Sequence, residues 1–184
     1  MKVKFRFSGR GGQGIKFLGS ALVRVAMEAD FRATLTVDYT PSVRGGPIFC
    51  DVVISDEAIA YPYCDADADY FVALDQKGFR RAAECICEKT TSFIDAHSID
   101  DSAKEIVSKG TMYRVPITKR ADDKHATEAV NILSLGFLSE QLIKSKKPDL
   151  KEDQYISVFK KMRNSENNIK TFHYGKELYH EIFN

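Results

Sequence analysis

Apolar and basic residues alternate from Val3 to Phe7 and then meet a cluster of glycines, the pattern of a strand feeding a tight turn. Beyond the turn, Ile15, Leu18, Leu22, Val25 and Ala26 recur at helical spacing, so the order reads strand, glycine turn, helix. Thr34 to Asp38 and Ile48 to Ser55 are rich in β-branched residues and read as strands, separated by a loop holding Arg44-Gly45-Gly46-Pro47. Tyr70 to Leu74 is a continuous apolar run suited to a buried strand, and Thr91 to Ile94 and Met112 to Val115 repeat the pattern. Helices are predicted between them, over Lys77 to Glu88 and Ser102 to Ser108.

The last third changes character. Glu128 to Ile143 and Tyr155 to Arg163 carry helical patterns, with Lys144 to Asp149 as a polar break between them. Strands alternating with helices predict an α/β, Rossmann-like layered fold: a largely parallel central sheet flanked by helices, with a helical C-terminal third. At 184 residues and 43% hydrophobic composition, residues 1–184 are expected to form a single domain.

Charge narrows the function classes. The 27 basic and 26 acidic side chains leave a formal charge of +1, so no global field draws the chain to nucleic acid or to an anionic membrane. No run approaches the roughly 20 apolar residues that span a bilayer, and the start of the chain lacks a signal-peptide core, so a cytoplasmic protein is expected. Cys50, Cys64, Cys85 and Cys87 are too few and too irregular for a disulfide scaffold. If helical, Cys85 and Cys87 project about 200 degrees apart, a poor chelate. His97, His125, His173 and His180 show no metal-ligand spacing, so no metal site and no catalytic residue is assigned.

The glycine turn is the candidate site. Gly9-Arg10-Gly11-Gly12-Gln13-Gly14 matches the G-x-G-x-x-G pattern, in which glycines let a backbone approach a phosphate at a helix N-terminus. Asp38 stands near where a ribose-binding acid belongs, which keeps open a free-standing NAD- or FAD-binding protein. The same glycines also permit positive φ and close packing with no ligand at all. Against the dinucleotide reading, a proline-bearing loop and another strand follow Asp38, where a crossover helix belongs. Arg44, flanked by glycines, suits either a phosphate or a partner's carboxylate.

Three segments in order carry a resemblance: Gly9-x-Gly11-Gly12-Gln13-Gly14, then Tyr39-x-Pro41-x-x-Arg44-Gly45-Gly46, then Cys50-x-Val52-x-Ile54-Ser55. Together with Asp69 to Gln76, Asn131 to Gly136 and Asn168 to Gly175, they resemble the gamma subunit of pyruvate and 2-oxoglutarate ferredoxin oxidoreductases. The resemblance implies a subunit that is not catalytic alone, in a complex that converts a 2-oxoacid and coenzyme A to acyl-CoA, carbon dioxide and reduced acceptor. It implies thiamine diphosphate, magnesium and iron-sulfur clusters in partner alpha and beta subunits, with a ferredoxin-like delta subunit as a further partner. Coenzyme A is the co-substrate, and the implied contact residues are Gly9, Gly11, Gly12, Gln13, Gly14, Tyr39, Arg44, Gly45 and Gly46. Asp38 replaces a common serine, and Ser42-Val43 a common Glu-Met. A surface made for partners would also let the isolated chain pair with itself. An interaction module that binds no small molecule is the remaining reading.

Overall fold

In the computed structural model, residues 1–39, 45–106 and 109–183 are described. A six-stranded sheet runs in the order β2-β3-β1-β4-β5-β6, built from β1 (Lys2–Arg10), β2 (Arg32–Tyr39), β3 (Pro47–Ser55), β4 (Tyr70–Ala73), β5 (Thr91–Asp95) and β6 (Thr111–Val115). The pairings of β1 with β4, β4 with β5 and β5 with β6 are parallel; β3 runs antiparallel to both β1 and β2. The expected parallel sheet is therefore mixed on one side, because β2 returns directly as β3 and a short return can only be antiparallel.

Both faces of the sheet are covered, and period-two alternation divides them. On one face Phe5, Phe7, Val52, Ile54, Val72 and Phe93 belong to a large apolar core with α1 (Ile15–Glu28), α5 (Val130–Ser145), α6 (Glu152–Lys160) and α7 (Ser165–Phe183). On the other face Phe71, Ala73 and Ile94 meet Phe79 and Ala82 of α2 (Gln76–Ala82) and Ala103 of α3 (Ala103–Ile106). Beneath α2 lies a buried ion pair. Arg6 Nε donates to Asp51 Oδ1 at 2.7 Å and Arg6 Nη2 to Oδ2 at 2.9 Å, while the Cys64 N–H also donates to Oδ2. Burial opposes the Arg6 charge, but the hydrogen bond and charge of Asp51 hold its guanidinium above the ordinary value.

One helical expectation is corrected. The segment Lys77 to Glu88 does not stay helical: α2 stops at Ala82, a short 3-10 turn runs over Ala83–Cys85, and Cys87 and Thr90 close a turn. There Thr90 Oγ1 accepts the Cys87 N–H and donates to the Ala68 carbonyl, offering the backbone an alternative to the helix. Cys85 and Cys87 thus leave the helix, and among the described residues no cluster of His, Cys, Asp and Glu could hold a metal. The helix expected over Ser102 to Ser108 is described as α3, with residues 107–108 outside the described set. α4 (Ile117–Asp123) and α7 are helices that the apolar pattern does not announce.

Candidate functional site

The glycine turn lies at the carboxyl end of β1, where open α/β sheets form crevices. Its conformation rests on hydrogen bonds internal to the protein. The Gln13 side chain accepts the Arg10 N–H at 2.9 Å and donates to the Leu74 carbonyl at 3.1 Å, tying the turn to the end of β4. Gly11 N–H donates to the Gly46 carbonyl at 2.9 Å, which brings the two glycine loops together; a Cβ on Gly11 would stand 3.3 Å from Gly45 Cα. Gly14 caps α1 in the left-handed region at φ 71°, with Asn131 of α5 packed where a side chain would begin. Gly9 has a different task, since Gly78 of α2 packs directly on its backbone.

A cavity of about 740 Å³ opens beside this turn. Arg10, Gly11, Gly12, Gln13 and Gly45 form one wall; His97 and Ser98 after β5, Thr118 and Asp122 of α4, and Thr127 and Val130 form the other. β1, β5 and β6 lead into it from their carboxyl ends, and Gly45 enters just ahead of the amino end of the antiparallel β3. A buried carboxylate organises the second wall: Asp95 accepts the Thr118 N–H at 2.9 Å, the Thr118 hydroxyl at 2.7 Å and the Ser98 N–H at 2.8 Å. Those bonds fix the loop after β5 against the first turn of α4. Among the described residues the lining carries one guanidinium at Arg10 and one carboxylate at Asp122, so an anion would be met from the glycine-turn side.

The sequence-derived residues thus divide. Gly11, Gly12, Gln13 and Gly45 share one wall; Gly9, Gly14 and Gly46 support it from behind through packing and hydrogen bonds. Tyr39 ends β2, is 62% exposed and is not part of the described wall. Pro41 and Arg44 lie outside the described residues. Arg10, Ser98, Thr118 and Asp95 were not assigned from the sequence; the last three come from loops separated along the chain, and no spacing connects them to the turn. Asp38 is engaged elsewhere, accepting from Arg81 at 2.6 Å in an exposed ion pair. β3 also separates β2 from β1, whereas a dinucleotide fold keeps the acid-bearing strand beside the glycine-bearing one. The free-standing dinucleotide reading is not favoured.

Burial also favours the neutral thiol at three of the four cysteines, Cys87 being only partly buried. Cys50 and Cys64 are fully buried, and desolvation pushes their thiols well up; the same cause raises Cys85 to about 12.

Comparison with known proteins agrees with this architecture. A family model described as pyruvate ferredoxin/flavodoxin oxidoreductase matches residues 4–178. The 2-oxoglutarate synthase subunit KorC of Methanocaldococcus jannaschii is 32% identical, over 99% of this chain and 96% of that protein. KorC of Archaeoglobus fulgidus is 27% identical over 96% of this chain and 88% of that one. The gamma subunit of a keto/oxoacid ferredoxin oxidoreductase from Geobacter sulfurreducens superposes with a TM-score of 0.76 at 21% identity, covering 98% of each chain. A 2-oxoglutarate:ferredoxin oxidoreductase from Magnetococcus marinus, with 2-oxoglutarate, coenzyme A and succinyl-CoA bound, gives 0.82 at 22% identity; this chain, 98% covered, spans 31% of that longer one. At such identities the structural likeness speaks for the fold, and the sequence matches carry the kinship. With a family model spanning nearly its whole length and a relative alike from end to end, this chain belongs to the pyruvate ferredoxin/flavodoxin oxidoreductase family.

Proposed function

We propose that the chain is the gamma subunit of a cytoplasmic 2-oxoacid:ferredoxin oxidoreductase acting on 2-oxoglutarate. In this reading alpha and beta subunits, with a ferredoxin-like delta subunit, supply thiamine diphosphate, magnesium and the iron-sulfur clusters. The supporting observation for the substrate is the end-to-end likeness to 2-oxoglutarate synthase subunits. Among the described residues no helix is long and apolar enough to cross a membrane.

The cavity beside the glycine turn is the proposed point of contact with coenzyme A. One observation carries that assignment: both glycine loops and the carboxyl ends of β1, β5 and β6 converge on a polar space with Arg10 at its rim. The turn gives a phosphate the approach it needs, because Gly12 carries no side chain and a Cβ there would meet nothing within 4 Å. Ser98 and Thr118 add hydroxyls on the opposite wall. Arg44, beside Gly45, belongs to the same proposal as a second cation.

The assembled complex provides the test. Arg10→Ala and Arg44→Ala should each raise the apparent KM for coenzyme A about tenfold, the weight of one charge-assisted hydrogen bond, and leave kcat nearly unchanged. An unchanged KM in a fully assembled complex would mean that the wall meets only protein. Loss of assembly itself would favour the interaction-module reading.

A further inference from the structure

β2 is an open edge. It pairs with β3 on one side and, among the described residues, with no strand on the other. Exposed edges are ordinarily blunted by proline, lysine or short length. From Arg32 to Tyr39 there is neither proline nor lysine, and Ala33 to Val37 are all partly exposed. The opposite edge is defended. β6 is shorter, Pro116 follows it at once, and its Arg114 is engaged by the carbonyls of Ala96, Ile99 and Asp100.

We propose that β2 pairs with β2 of a second copy of this chain across a two-fold axis at Leu35, joining two six-stranded sheets into one. A two-fold operation on an edge strand produces an antiparallel pair. Backbone donors and acceptors of alternate residues point outward, and residues opposite one another must both point toward the partner or both away. Opposed residues therefore differ by an even number of positions, so the axis must pass through a residue. That leaves few registers.

Charge chooses among them. With the axis at Thr34, Asp38 faces Asp30 of the second copy and Arg32 faces Thr36. With the axis at Thr36, Asp38 faces Thr34 and Arg32 faces past the end of β2. With the axis at Leu35, Arg32 faces Asp38 on both sides, Thr34 faces Thr36 twice, and Ala33 faces Val37 twice. Only this register is complementary in charge, hydroxyl and apolar character at once. Both charges are available for it. Arg32 is exposed and has no ion-pair partner among the described residues, while Asp38 gives only Oδ1 to Arg81. Alternation is kept in each of these registers: Ala33, Leu35 and Val37 pack against the α1 side of the core, so pairing extends that apolar face across the axis while charge fixes the register.

The test uses the full chain, alone and within the assembled complex. Sedimentation of the isolated chain should show a monomer–dimer equilibrium; Arg32→Asp, which sets aspartates opposite one another, should raise its Kd at least tenfold, and Arg32→Lys should change it little. Arg32 is exposed, so neither variant disturbs the core. Under mild oxidation Leu35→Cys should cross-link to itself, and Thr34→Cys should not, because it faces position 36. A chain that stays monomeric would overturn the proposal. So would a dimer indifferent to Arg32→Asp, or Leu35→Cys cross-linking in the complex to a different subunit, which would assign the edge to that subunit's strand.

Discussion

Tyr155 is fully buried, stacked on Phe172, and its hydroxyl has no hydrogen-bond partner among the described residues. Desolvation holds the phenol above its ordinary pKa, so it stays neutral and simply lacks a partner. Removing such a hydroxyl should cost nothing in packing and relieve the desolvation of an unsatisfied group, of about 1 kcal/mol. Tyr155→Phe is therefore expected to raise the stability measured by urea unfolding by about that amount. A loss of similar size would mean that the hydroxyl has a partner. At the site, by contrast, the side chains of Gln13, Thr118 and Asp95 are all hydrogen-bonded. Gln13 was legible as a member of the motif, but its amide is occupied by Arg10 and Leu74, so it shapes the turn and does not wait for a ligand. Asp95 was illegible for a related reason: an acid at the end of an apolar strand looks like any strand terminus until Ser98 and Thr118 are folded onto it.

Among elements, α7 shows why a pattern can be present and go unread. Its buried residues are Asn168, Thr171, Phe172, Gly175, Leu178 and Tyr179, a regular helical stripe half of which is small or polar. Hydrophobicity does not mark it; proximity explains it. Gly175 packs on the backbone of Leu133 and Phe137, and Gly136 of α5 packs on the backbone of Phe172, so the two helices touch main chain to main chain. A Cβ on Gly136 would fall onto the Phe172 carbonyl oxygen, and one on Gly175 onto that of Leu133. Gly175→Ala, although better in helix propensity, should therefore destabilise the protein by about 3 kcal/mol through overpacking. For a chain of this size that lowers Tm by about 6–12 °C, checked by thermal unfolding. A neutral result would show that α5 and α7 can separate without cost. The strands were legible because β-branched runs and glycine punctuation mark them directly. The break in α2 was not, since it depends on Thr90 capturing the turn at Cys87.

At the scale of the whole molecule, exposed ion pairs tie distant segments together around one buried pair. Lys161 bonds Glu28 between α6 and α1, Arg120 bonds Glu181 between α4 and α7, and the N-terminal ammonium bonds Asp56 at 2.5 Å. Hydrogen bonding to these cations is the leading cause that lowers Glu28, Glu181 and Asp56 below their ordinary values of 4.5, 4.5 and 3.8. A carboxylate depressed in the folded state contributes stability above its unfolded pKa and loses it as pH falls through the folded one. Stability should therefore hold from neutrality down to roughly 4.5, the ordinary glutamate value, and decline progressively below it. All three carboxylates are partly open to solvent, so salt should flatten the decline, which separates it from titration of a buried group. At the other extreme Lys176 is raised: burial opposes its charge, but hydrogen bonds to Glu152 and Glu140 prevail. Its contribution is present at neutral pH and disappears only as pH rises past the ordinary lysine value of 10.5. Urea unfolding at pH 7, 5, 4 and 3 tests the acid limb, at about 0.1 M and about 1 M salt, on either side of effective screening. In a Glu28→Gln/Glu181→Gln variant the decline should be shallower than in the parent; an equally steep decline would mean that these two ion pairs do not carry the acid sensitivity.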